Sequence, residues 1–238
     1  MNVFKADLHI HTCLSPCAEL EMSPKNIVKQ AKDCGLDIIG ICDHNSGENV
    51  RAVQRSALQE GLSVIYGIEI TSREEVHILA LFESERELLS MQNIIYDNLK
   101  GINIEEFYGE QVIVNEYEEV VGFNNRLLIG ATNLSVDKIV DVIHELNGLA
   151  IAAHIDRESF SIIGQLGFIP DSLHFDALEI SSKDKLPVNI KPIPLISSSD
   201  AHTLSAIGSR FTLFFMKNTS FEEIRKSFLE ENERKVMI

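Results

Sequence analysis

The sequence predicts an α/β fold in which a largely parallel sheet closes into a barrel with helices outside it. Three observations carry this. Short apolar runs of strand composition alternate with helix-period segments along most of the chain. Neither an internal repeat nor a low-complexity linker divides the 238 residues, so one domain over 1–238 is expected. Residues of metal-binding type stand at the ends of the apolar runs, where sheets of this class gather function. An open doubly wound sheet is the alternative, but ligands from this many strands converge more readily in a closed barrel.

The elements follow in order. Val3–Leu8 reads as a strand. Ser23-Pro24 opens a helix, with Ser as N-cap and Pro in the first turn, and Gly35 stops it. Ile38–Cys42 is apolar at nearly every position, as a buried strand is. A helix over about 48–59 precedes strands Ser63–Ile70 and Glu75–Phe82. Ser84-Glu85-Arg86-Glu87 has capping-box spacing. Residues 101–134 break the rhythm. Gln111–Val114 and Arg126–Ile129 read as short strands around Gly122-Phe123-Asn124-Asn125, in an acidic excursion or lid. Ser135 caps the next helix, and strands follow at Leu149–His154, Ala177–Ser181, Ile193–Ser199 and Phe211–Met216. Ser220 caps a C-terminal helix.

Composition narrows the function. No apolar run is long enough to span a membrane, and Met1–Asp7 lacks a signal-peptide pattern, so a cytoplasmic protein with no membrane partner is expected. Cys13, Cys17, Cys34 and Cys42 then read as reduced thiols. The formal net charge of -15 argues against long-range attraction to polyanions, so duplex nucleic acid is not expected as a partner. A small phosphorylated substrate or short nucleotide is compatible with it. Oligomeric state is not legible.

Six of the eight histidines lie in or beside strand ends. His9 and His11 are two apart, so on an extended segment they share a face. Asp7 beside them is a candidate to orient an imidazole, or a plain strand-end carboxylate. Asp43-His44-Asn45 follows a buried strand; a turn explains Asn45 more easily than His44. Glu69 is the sole charge between Val64 and Thr71, and a metal or a salt bridge would offset the cost of burying it. His77 lies in an apolar strand, where a packed histidine is the ordinary case. His154 ends an apolar run, with Arg157 three residues on. Asp200 and His202 follow Ser197-Ser198-Ser199. His144 and His174 read as structural. A mixed imidazole–carboxylate set suits Zn, Mn or Fe better than Ca.

These residues resemble the PHP (polymerase and histidinol phosphatase) family of phosphoesterases. The resemblance runs from Asp7 to His202 through Asp-x-His-x-His-Thr, Asp-His-Asn, Gly-x-Glu, the strand histidine, Ala-His with its arginine, and Ser-Asp-Ala-His. It implies a distorted seven-stranded β/α barrel with a trinuclear metal site. His9, His11, Glu69 and Asp200 would hold one ion. Glu69 would bridge to a second, held also by His77 and His154. His44 and His202 would hold the third. Family members place an Asp of a Ser-Asp-Gly motif on that third ion; here counting back from Ser23-Pro24 points to Glu19, the ligand this reading favours, and counting forward from His11 points to Pro16 or Cys17. His154-Ile155 stands where many members have His-Pro. Asp43, His44, Arg157 and His202 are the catalytic candidates. Arg157 is placed to bind substrate phosphate, with its guanidinium free unless it pairs with Asp156 or Glu158. Arg126 of the excursion is a second anchor. The implied activity is hydrolysis of a small phosphomonoester or short nucleotide by a metal-activated water, with two to three Mn, Zn or Fe ions. The alternatives are a 5′-end exonuclease on short oligonucleotides and a non-catalytic, metal-stabilised module.

Overall fold

The protein is described by a computed structural model, which covers residues 1–182 and 192–238. In chain order it runs β1 (Asn2–Ile10), α1 (Pro24–Asp33), β2 (Ile38–Ile41), α2 (Val50–Ala57), β3 (Ser63–Thr71), β4 (His77–Phe82) and α3 (Glu85–Asn98). The excursion holds α4 (Glu105–Tyr108), β5 (Val112–Val114) and β6 (Val120–Phe123). Then come α5 (Val136–Glu145), β7 (Leu149–Ala152), α6 (Ile162–Leu166), β8 (Ala177–Glu179), β9 (Leu195–Ile196), β10 (Thr212–Met216), α7 (Phe221–Phe228) and β11 (Lys235–Met237). Ser135 and Ser220 cap α5 and α7 with their side chains, while the Ser84 hydroxyl donates to Glu87 instead.

Among the described residues the main sheet has nine strands, in the order β11-β10-β1-β2-β3-β4-β7-β8-β9, not the seven expected. Seven of them, β1 to β4 and β7 to β9, form a ring. It closes where the chain beyond β9 returns to β1: Ala201 pairs in parallel with Ile10, and the His11 N–H donates to the Ala201 carbonyl at 3.0 Å. Buried Asp7 reinforces that seam by accepting from the Ser199 and Gly208 N–H groups, both at 2.9 Å. The two extra strands add outside the ring, β10 pairing antiparallel with the first half of β1 and β11 with β10.

The ring is not all parallel. β4 runs antiparallel to both β3 and β7. Only Ser72–Val76 connect β3 to β4, which is too short for a crossover helix. The excursion also differs from expectation. The second strand of its hairpin is Val120–Phe123, where a turn is predicted from sequence, and Arg126–Ile129 is not a strand. The turn lies earlier, where the Asn115 side chain accepts from the Tyr117 and Glu119 N–H groups. That turn leaves the β-branched and aromatic Val120, Val121 and Phe123 free to pair with β5.

Two apolar layers hold the ring. Ala6, Leu8, Ile38, Cys42, Ile65, Leu79, Leu81, Leu149, Ile151 and Ala177 fill its interior, and the larger layer packs α1, α2, α3 and α5 against its outside. Gly40 permits the tight contact of β2 with β1, because a Cβ there would lie 2.5 Å from the Leu8 carbonyl oxygen. β1 carries one extra residue between Asp7 and Ile10 relative to β2. This bulge shifts the alternation, so that Ala6 and Leu8 face inward below it and His9 and His11 face inward above it.

Candidate metal centre

The rim at the C-terminal ends of the parallel strands gathers the predicted residues. β1 delivers His9 and, just beyond it, His11. The segment after β2 delivers His44, and β3 delivers Glu69; a parallel bridge between His44 and Glu69 extends that pairing. His77 starts its strand, yet it reaches the same rim because β4 runs antiparallel. His154 follows β7, and Asp200 and His202 follow β9. His154 and Asp200 take positive φ (30° and 53°), which turns both side chains sharply out of their strand ends.

Donor atoms crowd a small space. His9 Nε2 lies 3.1 Å from His11 Nε2, 3.2 Å from Asp200 Oδ1 and 3.5 Å from Glu69 Oε1. His11 Nε2 lies 3.2 Å from Asp200 Oδ1 and 3.4 Å from Glu69 Oε2. Glu69 Oε1 is 2.8 Å from His77 Nδ1 and 3.3 Å from His154 Nε2, and Oε2 is 2.9 Å from His44 Nδ1. Donors about 2.1 Å from a shared ion stand roughly 3.0 Å apart at octahedral angles and roughly 3.4 Å apart at tetrahedral ones. The spacings around His9, His11, Glu69 and Asp200 match that range. Three groups could hold an ion among the described residues: His9–His11–Glu69–Asp200, His44–Glu69–His77 and His11–His44–His202. Despite their proximity, His44 Nδ1 and Glu69 Oε2 are buried with no hydrogen-bond partner, as is His154 Nδ1. Of these, His44 and Glu69 belong to a donor group with His77, and buried acceptors left without a partner in such a group fit a cation.

Neighbouring groups set which nitrogen faces the centre. Ser15 donates its hydroxyl to Asp43 Oδ1 (2.6 Å) and accepts from the His44 backbone N–H (3.2 Å). Its remaining lone pair meets His11 Nδ1 at 2.9 Å, so Nδ1 carries the proton and Nε2 offers its lone pair to the centre. His9 Nδ1 meets both carboxylate oxygens of Glu179, at 3.2 and 3.1 Å, with the same result. Burial works against charge on His9, but Glu179, Asp200 and Glu69 outweigh it and push its pKa up. Burial also works against ionised Glu69, and His77, His9 and His44 outweigh it and hold its pKa well down. Burial and the nearby His202 lower the pKa of His11.

The remaining predicted residues fall in different places. Asp43 is bound to the Thr12 N–H and hydroxyl (2.7 Å each) and to Ser15, so it holds the loop after β1. Arg157 is not free and does not pair with Asp156 or Glu158; its Nη1 donates to Asp200 Oδ2 at 2.6 Å. Asp156 instead accepts from the Ser181 and Ser182 N–H groups. Arg126 is stacked on the Tyr96 ring at 4.0 Å, and it is not among the residues lining the pocket over the centre. Glu19 is exposed and joins none of the three donor groups; its backbone N–H bonds to the His202 carbonyl. Cys17 is likewise exposed and in none of the three donor groups, but its thiol is near enough to His202 and His44 for these imidazoles to outweigh desolvation and bring its pKa down to about 6. Glu179 was missed by sequence reasoning. The signal was a lone carboxylate two residues after Ala177 in an apolar strand, the same signal that marks Glu69.

Comparison with known proteins decides the family. The PHP domain model matches residues 7–163, and the PHP-associated model matches residues 189–232. The chain belongs to the PHP family. It is 22% identical to the uncharacterized YqxK protein of Bacillus subtilis, over 100% of this chain and 65% of that one. It is also 22% identical to a 5′-3′ exoribonuclease of Haemophilus influenzae, over 63% of this chain and 68% of that one. Endonuclease Q of Pyrococcus furiosus shares the fold, with a TM-score of 0.72 and 20% identity over 100% of this chain and 58% of that one. This PHP chain therefore spans about two-thirds or less of YqxK and of endonuclease Q.

One expectation needs correction. Endonuclease Q has been solved with a 27-mer duplex carrying an abasic lesion at its active site (TM-score 0.72, 22% identity). Duplex nucleic acid is therefore not excluded for this fold. The net charge of -15 sums the whole chain, whereas a phosphate meets the local field. Here the carboxylates of Glu69 and Glu179 are buried among imidazoles, and Arg157 at the mouth pairs with the partly buried Asp200. Among the described residues no helix is long and apolar enough to cross a membrane.

Proposed function

We propose that this PHP chain is a metal-dependent phosphoesterase acting on a small phosphomonoester or short nucleotide. The observation that carries the reading is the convergence of His9, His11, Glu69 and Asp200 donors at 3.1 to 3.5 Å, beside buried lone pairs with no partner. Imidazole and carboxylate together suit Mn, Zn or Fe. Two to three ions follow from three donor groups that share His11, His44 and Glu69. His77 and His154 both reach Glu69, which supports Glu69 as a bridge. Cys17 is the better candidate than Glu19 to complete the group of His11, His44 and His202. Bound divalent ions would acidify a water and draw charge from phosphoryl oxygens.

The chain's own residues do the rest. Glu179 and the Asp43–Ser15 pair orient His9 and His11. Arg157 uses one nitrogen on Asp200 and keeps further donors for a phosphate oxygen at the mouth. The excursion acts as a fixed wall of the same domain. Asn45 donates to the Leu128 and Gly130 carbonyls (2.8 Å each), and Asn49 bonds the Val112 carbonyl and the Val114 N–H (3.0 Å each). A second reading, an exonuclease acting at 5′ ends of short oligonucleotides, is supported by the name of the Haemophilus relative. A non-catalytic module is disfavoured by the presence of the main donors, His9, His11, Glu69 and Asp200 among them.

The test is elemental analysis of protein purified without chelator. It is followed by turnover on an aryl phosphate, nucleotides, short oligonucleotides and an abasic duplex with added Mn, Zn or Fe. Two to three ions and metal-dependent hydrolysis are expected. Metal near zero with no rescued activity overturns the reading.

A further inference from the structure

The pocket over the centre has walls of two kinds. Its floor is polar: His44, Glu69, His77, His154, Asp200 and His202. Its mouth carries Arg157 and two apolar residues, Phe160 and Ile129, from different segments. Both apolar side chains are well exposed, 41% for Phe160 and 39% for Ile129. A scattered surface apolar residue needs no explanation. These two differ because each is held in place by a residue of the centre or one adjoining it in sequence. The Phe160 carbonyl accepts the His77 N–H at 2.8 Å, and its ring stacks on the His77 imidazole at 4.7 Å with 22° between planes. Phe160 does this at φ 57°, a conformation unfavourable for a bulky residue and kept only where the surroundings enforce it. Ile129 sits between the Leu128 and Gly130 carbonyls, both held by Asn45, the residue after His44.

The space enclosed is about 210 Å³. That is below the roughly 300–1,000 Å³ of sites for drug-sized ligands, so the enclosed space takes the phosphoryl end of a ligand and the rest reaches out past the mouth. The floor suits the phosphoryl end. An aromatic ring with Arg157 three residues away suits a planar, apolar face next to it. We propose that Phe160, assisted by Ile129, is a stacking wall for the nucleobase of a nucleotide whose phosphate lies on the centre. The inference rests on the phosphoesterase reading and narrows its substrate to nucleotides, free or at the end of a strand.

The test is calorimetric binding to the metal-loaded protein of two hydrolysis-resistant phosphonates, the analogues of thymidine 5′-phosphate and of 2-deoxyribose 5-phosphate. The thymidine analogue should bind about 5- to 150-fold more tightly, the range for one base–aromatic stack. Phe160→Ala and Phe160→Leu should each bring that ratio toward one, Phe160→Tyr should keep it, and Ile129→Ala should lower it in part. The ratio cancels any general loosening of His77, and Leu preserves apolar packing should Ala weaken the fold. A ratio near one in the parent, or an unchanged ratio in both Phe160→Ala and Phe160→Leu, overturns the stacking wall while leaving the phosphate site intact. Binding of neither analogue overturns both readings.

Discussion

Two clusters of buried charge in this molecule are built differently. Glu223 on α7 and Arg234 before β11 form a closed unit. Arg234 Nε and Nη2 meet Glu223 Oε2 and Oε1 at 2.8 Å each, and Oε2 also accepts the Lys217 N–H. Arg234 Nη1 donates to the Glu231 and Asn232 carbonyls. At the rim of the ring the count does not close. Imidazoles and carboxylates press together at hydrogen-bond distances, yet His44 Nδ1, Glu69 Oε2 and His154 Nδ1 have no partner. A satisfied cluster explains itself as structure; an unsatisfied one points to a missing positive charge.

The sharpest way to break this contrast is Glu69→Gln. Under the proposed reading one carboxylate serves two ions, so the variant should lose several orders of magnitude in turnover, and metal content should fall. Near-normal kinetics and elemental content would make Glu69 a mere counter-charge to the histidines, as Glu223 is to Arg234. Arg157→Lys keeps the charge and removes the fork, so kcat/KM for phosphorylated substrates should fall about tenfold, the effect of a partly lost charge-assisted contact. Metal content should be unaltered. Steady-state kinetics identical to the parent would confine Arg157 to its bond with Asp200. Cys17→Ala should reduce occupancy by about one ion and Glu19→Ala should not; elemental analysis showing the reverse would move the third ligand to Glu19.

How far the sequence was readable follows the same division. The strand-end residues were legible because a charge after an apolar run has few structural uses. His77 was harder, since its position at the start of a strand makes sense only once β4 is known to run backwards. Glu179 gave a usable signal that was not read. Spacing favoured Glu19 over Cys17 for the third ion, because the turn that brings position 17 toward His44 and His202 depends on Ser15 and Asp43 packing, not on spacing. Closure through Ala201 and Ile10 is a single bridge with no sequence period. The excursion defeated pattern reading because Asn45 and Asn49, far away in sequence, hold it.

The closed cluster offers the converse test. Glu223→Gln should lower the melting temperature by several degrees at neutral pH with metal content unchanged. Hydrogen bonds from Arg234 hold the Glu223 pKa down, from 4.5 to about 2. A depressed carboxylate contributes stability above its unfolded pKa and loses it as pH falls through the folded value. The gap between parent and variant should therefore shrink between about pH 4.5 and pH 2. A gap independent of pH would mean that the variant merely disturbs packing.

The smallest effect is expected at His144, a partly exposed histidine outside the centre whose Nε2 has a carboxylate partner. Its Nε2 lies 3.0 Å from Asp176 Oδ2, which also accepts the Ala150 N–H at the start of β7. The hydrogen bond that His144 donates to Asp176 raises the His144 pKa above 6.5, with partial burial opposing. A raised histidine binds its proton more tightly in the folded state. Its contribution is fully present below pH 6.5 and fades as pH rises through the folded value. Because the pair is partly solvent-exposed, screening keeps the contribution small. His144→Asn should leave metal content and turnover at parental values. It should cost a degree or two of melting temperature at pH 6, measured by calorimetry, and less at pH 9. If His144→Asn instead lost metal or activity, a partly exposed, ion-paired histidine outside the centre would be tied to function, and unpartnered buried atoms would no longer separate the site from structural charge.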